Sequence, residues 1–375
     1  MDSIKMVDLY GQYLKIKDQI DEAISEVINS TAFINGPAVK EFSQNLAKYL
    51  NVKKVIPCGN GTDALQIALM ALDLEPGDEV ILPAFTYIAT AEVVALLRLS
   101  PVLIDVDYRS FNIKTDEIEQ AISHKTKAIV PVHLFGQSAD MEKVLQLAQK
   151  YNLFVIEDNA QAIGAEYRFS DGTVKKTGTI GTIGCTSFFP SKNLGCYGDG
   201  GAIFTNDEIL GEKLAMIANH GQNIKYHHKY IGVNSRLDTI QAAILNVKLN
   251  YLEQYNNERY RAAEYYSENL KDIPQILLPQ QMPYSSHVFH QYTIIVQDGQ
   301  RDRLKQYLNS QGIPANIYYP LPINEQEAFK DIAVVRSSLE NTKKLVKSVL
   351  SLPMHTELTR EQQDFIIDKI RKFFS

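Results

Sequence analysis

The stretch Lys53-Lys-Val-Ile-Pro-Cys-Gly-Asn-Gly-Thr-Asp-Ala-Leu-Gln-Ile-Ala-Leu-Met-Ala-Leu72 decides the fold. A short apolar run, Val55 to Pro57, ends in a glycine-rich turn, and from Thr62 to Leu72 apolar residues keep a helical stripe. Downstream the same alternation repeats. The apolar runs are Glu79 to Leu82, Val102 to Ile104, Ala128 to Val130 and Phe154 to Ile156, and the helical stretches between them are Thr86 to Leu97, Thr115 to Ile122 and Ala139 to Lys150. Runs that are apolar throughout suit strands covered on both faces, so the pattern predicts an α/β fold with a mostly parallel sheet and right-handed crossovers.

Upstream, Ile16, Ile20, Ile24, Val27 and Ile28 predict one helix, and a second follows Pro37. Ser187 to Phe189 and Ala202 to Phe204 read as short strands after the Gly/Thr-rich stretch from Gly164 to Gly184. A single long helix is expected from about Arg236 to Leu270, and Pro274, Pro279 and Pro283 mark a linker. Beyond it, Gln291 to Val296, Arg301 to Gln311, Leu339 to Leu350 and Arg360 to Phe374 alternate again. The expected division is a large α/β domain over 1–250 and a smaller α+β domain over 251–375.

Lys plus Arg total 38 against 44 Asp plus Glu, a net charge of −6, with no basic stripe. That balance argues against a nucleic-acid partner. Cys58, Cys185 and Cys196 are an odd number without CxxC spacing, which supports neither disulfides nor a metal site and suits a reduced cytoplasm. No apolar run reaches membrane-span length and the N-terminus has no apolar signal core, so no membrane association is expected.

In open α/β sheets, ligands bind beyond the carboxyl ends of the strands. The turn Cys58-Gly-Asn-Gly-Thr-Asp-Ala-Leu65 opens a helix whose first amides are able to hold an anion. It is neither GxGxxG nor a P-loop, and alone it suits an ordinary helix start capped by Thr62 or Asp63 better than an anion site. The run ending in Glu157-Asp158-Asn159-Ala160-Gln161 places an acid at a buried strand end, where it requires a cationic partner or a capping role. In Ser187-Phe-Phe-Pro-Ser-Lys-Asn-Leu-Gly195, Lys192 lies among apolar and small residues. Desolvation there lowers an amine's pKa toward neutrality, the condition for carbonyl chemistry.

These three segments, with Asn219-His-Gly-Gln222 and Gly232-Val-Asn-Ser-Arg-Leu-Asp-Thr-Ile-Gln-Ala-Ala-Ile244, resemble the DegT family of sugar aminotransferases in order and spacing. The resemblance runs from Met6-Val-Asp-Leu9 to Ser351-Leu-Pro-Met-His355. It implies fold type I of the pyridoxal 5'-phosphate enzymes, the aspartate-aminotransferase-like fold, and a homodimer with shared active sites. It further implies that Lys192 is the Schiff-base lysine and proton shuttle, that Asp158 pairs with the pyridinium nitrogen, and that Gln161 lies near the ring's phenolic oxygen. Tyr87 would stack on the ring, and Gly61, Thr62, Asp63 and Ser187 would hold the phosphate. Asn234 would reach that phosphate from the neighbouring subunit.

The segments Pro190 to Gly201, His220-Gly-Gln222 and Tyr226-His-His228 look most like the branch that uses L-glutamate to aminate C3 of UDP-2-acetamido-2-deoxy-3-oxo-glucuronate for bacterial surface polysaccharide. Arg236 would meet a carboxylate of the sugar or of glutamate, or else pair with Asp238 at a helix start. One departure stands out: the late substrate loop reads Asn316-Ile-Tyr318-Tyr319-Pro320, with tyrosine where that branch has histidine, so an uncharged C6 group is an alternative. A dTDP-linked 3-keto-6-deoxy sugar is the alternative substrate. A sugar dehydratase of the same fold, which has histidine in place of the lysine, is disfavoured by Lys192. A pyridoxal-binding regulatory module is disfavoured by the absence of an appended DNA-binding domain, and a Rossmann dehydrogenase by the missing glycine fingerprint.

Overall fold

The computed structural model describes residues 3–375. Its centre is an eight-stranded sheet in the spatial order Lys54–Cys58, Gly201–Thr205, Ile183–Ser187, Phe154–Asp158, Thr126–Ile129, Glu79–Pro83, Ser100–Ile104, Val334–Val335. From Ile183–Ser187 to Val334–Val335 every pairing is parallel; Gly201–Thr205 runs antiparallel to both its neighbours.

Why the sheet's strands are apolar at every position follows from where consecutive side chains go. Val80, Leu82, Leu103, Ala128 and Ile156 enter one core, with Ala64, Ile67 and Ala68 of the helix Gly61–Met70 and Val93 and Val94 of the helix Ala89–Leu96. Ile81, Val102, Ile104, Ile129 and Val155 enter the opposite core, with Ile118 of the helix Thr115–Ala121 and Val144 of the helix Met141–Tyr151. Adjacent residues on a strand point to opposite faces, so a sheet covered on both sides needs apolar residues throughout.

The expected helix from Arg236 to Leu270 is instead two, Thr239–Leu249 and Leu252–Leu270. At the break, the amides of Asn250 and Tyr251 donate three residues back, to Val247 and Lys248, rather than four. The break redirects the chain between two cores: Ala242 and Leu245 pack with Phe42 and Leu46, whereas Ala263, Tyr266 and Leu270 pack with Tyr292, Leu350 and Ile366. Hydrophobic periodicity carries through because both helices bury a stripe, so it does not reveal the turn between them.

A second, antiparallel sheet of Ile276–Leu277, Tyr292–Val296 and Val349–Leu352 carries the helices Arg301–Ser310 and Arg360–Phe374. The last of these starts at a capping box made by Thr359 and Gln362. Packing does not follow chain order strictly. Ile4 lies in this C-terminal core, whereas Ile323, Phe329 and Leu339 belong to the core of the large sheet. Val334–Val335 extends that sheet beside Val102 and Leu103, and Arg336 clamps Glu79 through both carboxylate oxygens, at 2.8 and 2.5 Å.

Candidate active site

Four segments meet at the carboxyl ends of the central strands. The antiparallel strand Gly201–Thr205 lies between Lys54–Cys58 and Ile183–Ser187, and it brings the turn after Cys58 beside the end at Ser187. Gly61 is needed for this approach, since a Cβ there would lie 2.7 Å from the Ser187 Cβ. A Cβ on Gly201 would likewise lie 2.4 Å from the Asn60 carbonyl. The helix cap is Asn60, whose side chain accepts from the Asp63 amide at 2.8 Å, rather than Thr62 or Asp63. The amides of Gly61 and Thr62 therefore stand at the open helix start, next to the hydroxyls of Thr62 and Ser187. Such an open helix start has the donors to hold a phosphate. Asp63 turns away from it: its carboxylate accepts from Ser235 Oγ at 2.6 Å, and Ser235 Oγ in turn accepts from the Gly59 amide at 2.8 Å.

The strand Phe154–Asp158 ends with two consecutive acids in opposite situations. Glu157 is wholly buried and accepts from the amides of Gly178, Ile180 and Gly181 at 2.8, 2.6 and 2.6 Å. It also lies 2.8 Å from His133 Nε2. His133 Nδ1 accepts from the Ala139 amide, so the ring carries its proton on Nε2, toward Glu157. Among the described residues, Asp158, also buried, bonds only the Thr90 hydroxyl at 2.8 Å and the Ala160 amide at 3.2 Å. Burial pushes its carboxyl above the usual carboxylate range, against the pull of those two bonds and of the charge on Lys192. Thr90 escaped the sequence reading. It is buried on the helix Ala89–Leu96, and its hydroxyl lies 3.4 Å from that of Thr86 one turn earlier.

Lys192 follows the neighbouring strand, in a tight turn where its amide donates to the Phe189 carbonyl at 2.8 Å. Burial brings its amine down to about 8, with the Asp158 charge pulling the other way. Among the described residues no hydrogen bond engages that amine, so it is a desolvated, unbonded amine near an acid that lacks a cationic bond partner. Gln161 is oriented at both ends: its oxygen accepts from the Phe135 amide at 2.8 Å and its nitrogen donates to the Tyr319 hydroxyl at 3.0 Å.

Tyr87 is 55% exposed, with its ring centroid 6.1 Å from that of Tyr319, so an aromatic face is available at the mouth of the site. Tyr318 accepts from Asn316 Nδ2 at 3.0 Å. Asn234 is exposed, and its backbone bridges Asn219. Arg236 is partly buried. Among the described residues the arginine ion pairs are those of Arg301, Arg336 and Arg371, so Arg236 makes no helix-start bridge to Asp238.

A phosphate cradle, an acid awaiting a cation and a free lysine of depressed basicity suit pyridoxal phosphate. Comparison with known proteins agrees. The DegT/DnrJ/EryC1/StrS aminotransferase family matches residues 14–371. The chain is 44% identical, over 99% of both chains, to a "pleiotropic regulatory protein" of Geobacillus stearothermophilus. It is 46% identical to the UDP-2-acetamido-2-deoxy-3-oxo-D-glucuronate aminotransferase of Pseudomonas aeruginosa, over 95% of this chain and 96% of that one. With the UDP-N-acetyl-3-dehydro-alpha-D-glucosamine 3-aminotransferase of Acidithiobacillus ferrooxidans it shares 44% identity, over 99% and 98%. The crystal structure of a family aminotransferase from Brucella abortus superposes with a TM-score of 0.94 at 42% identity, covering 99% of this chain and 100% of that one. The chain belongs to the DegT/DnrJ/EryC1/StrS aminotransferase family, whose members work with pyridoxal phosphate.

Proposed function

We propose that this enzyme transfers the amino group of L-glutamate to C3 of a UDP-linked 2-acetamido-3-keto hexose, for bacterial surface polysaccharide. The observation that carries the chemistry is the opposed setting of Lys192 and Asp158 at adjacent strand ends, the amine held down to about 8 and the carboxyl held up by burial. The substrate class is supported by the two relatives, 46% and 44% identical, named for UDP-linked 3-keto sugars.

Pyridoxal phosphate, when bound, supplies a carbon that takes up nitrogen and a ring that draws electrons from the neighbouring C–H bond. The chain's own residues do the rest. Asp158, whose two oxygens are fixed by Thr90 and the Ala160 amide, would pair with the ring nitrogen. Lys192 Nζ, neutral for a substantial fraction of molecules near pH 8, removes and returns the proton. Gln161, fixed by Phe135 and Tyr319, would lie near the ring's phenolic oxygen. The amides of Gly61 and Thr62, with the hydroxyls of Thr62 and Ser187, would hold the phosphate, and Tyr87 would offer a face for the ring.

On the sugar side, Arg236 makes no ion pair among the described residues and suits the glutamate carboxylate. A second reading concerns C6. The loop Asn316–Pro320 contains no cationic side chain, and Asn316 is bonded to Tyr318, which favours an uncharged C6 group over a uronate. The test is mass spectrometry of products formed with glutamate from UDP-linked 3-keto glucosamine, its uronate and dTDP-linked 3-keto-6-deoxy sugars. Conversion of a UDP-linked 2-acetamido sugar is expected. Preference for the dTDP sugars would sink the proposal.

We further propose a homodimer in which Asn234 and Arg236 serve the partner's site. The exposure of Asn234 supports this, although Ser235 between them is bonded to its own chain's Gly59 and Asp63. Mixing Lys192→Ala with Arg236→Ala protein should restore activity, since half of the sites in each heterodimer would carry neither lesion. No recovery in proven heterodimers would assign Arg236 to its own chain.

A further inference from the structure

The molecule contains a second buried amine, Lys248, on the helix Thr239–Leu249, with only 1% of its surface exposed. Among the described residues it pairs with no carboxylate. Its Nζ donates to the Gly195 carbonyl at 2.5 Å and lies 5.2 Å from the centre of the Tyr197 ring. A lysine is a costly way to fill a core position, because the cation must be desolvated and an apolar side chain of similar volume is usually at least as stable there. Its position therefore calls for a role in what it bonds.

What it bonds is the end of the turn that carries Lys192. That turn is closed upon itself: the Lys192 amide donates to Phe189, the Cys196 amide donates to Phe188, and a Cβ on Gly195 would lie 2.3 Å from the Pro190 carbonyl oxygen. Displacing Gly195 therefore displaces Pro190 and the residues between them. Neighbouring anchors come from the same two helices. Gln241 Oε1 accepts from the Tyr197 amide at 2.8 Å, and Asn256 Oδ1 accepts from Asn193 Nδ2 at 2.7 Å. Lys248 alone among these three is an amine held in a core, and its bond reaches the turn's closing carbonyl.

We infer that Lys248 is a positioning residue for the reaction: through the Gly195 carbonyl it holds the Lys192 turn at the height from which the Lys192 amine reaches the cofactor. The inference rests on Lys192 being the lysine that bonds the cofactor. A displacement of about 1 Å in a reacting group costs on the order of 100-fold in rate even when its cause lies outside the chemistry.

Lys248→Met, which keeps the volume but removes the donor, and Lys248→Arg, which keeps a donor, provide the test. In cofactor-free protein, the rate at which added pyridoxal phosphate becomes bonded to Lys192 is followed by borohydride trapping and peptide mass. In loaded protein, the single-turnover rate with L-glutamate is followed by absorbance at saturating and limiting concentrations. Both rates should fall roughly 10- to 100-fold in Lys248→Met, with little change in the glutamate concentration giving half the maximal rate and no loss of melting temperature. Lys248→Arg should recover most of the loss. Wild-type rates in Lys248→Met would overturn the inference. So would a Met protein that fails to fold or melts early, since the lysine would then serve the fold, and so would an Arg protein as slow as the Met one. If wild-type enzyme ignores glutamate yet takes up the cofactor, the donor assignment fails, and the uptake rates still decide the role of Lys248.

Discussion

Lys192 and Lys248 are two amines that burial brings down to about the same value, near 8. Their surroundings differ in one respect. Lys248 spends its hydrogen-bonding capacity on the Gly195 carbonyl and the face of Tyr197, whereas Lys192 has no hydrogen bond among the described residues. The adjacent acids repeat the contrast. Glu157 is filled by three amides and His133, while Asp158 has two bonds for its two oxygens and, among the described residues, no cation bonded to it. Depressed or raised basicity therefore does not by itself mark a catalytic group. What marks it is a desolvated group whose partners have been left for a ligand to supply.

Three substitutions press on that contrast, and their effects on turnover should rank in a fixed order. On the proposed reading, Lys192→Ala removes nucleophile and proton carrier together, so turnover should fall by at least ~1,000-fold with the fold intact. Borohydride reduction of the wild-type enzyme should place the pyridoxyl label on the peptide containing Lys192, and a label on the Lys248 peptide would reverse the comparison. Next, Asp158→Asn and Glu157→Gln should be measured as a pair for turnover and for unfolding by denaturant. Asp158→Asn should lose on the order of 100-fold in turnover, because it removes a preorganised charge from the reacting ring, with little change in stability. Glu157→Gln should do the opposite. It leaves a buried amide facing backbone donors, which should cost about 3 kcal/mol of stability, while molecules that stay folded keep turnover within a few-fold of wild type. Equal losses of activity in the two variants would erase the distinction between filled and open acids.

Much of the site was legible before any coordinates, for a physical reason. Glycine at 61 and a lysine among apolar neighbours are local requirements, imposed by close backbone approach and by desolvation, and local requirements leave a mark on consecutive residues. Thr90 left no such mark. It is an ordinary threonine on an apolar helix, and it matters only because the sheet places Glu79–Pro83 two strands away from Phe154–Asp158. Lys248 was hidden in the same way, since periodicity presents it as the polar interruption of a helical stripe.

The sequence by itself determined the α/β alternation and the unusual residues after its strands, a glycine-rich turn at Gly59 to Gly61, an acid at Asp158 and a lysine among apolar neighbours at Lys192, because period and residue type are properties of short segments. Only the tertiary structure decided that Glu157 is a filled latch beside an open Asp158, that the expected long helix breaks at Asn250 and Tyr251, and that Val334–Val335 crosses back to close the large sheet. Each of those depends on which distant groups arrive to satisfy a donor, an acceptor or a strand edge. That is settled by packing among residues far apart in the chain, which no local pattern records.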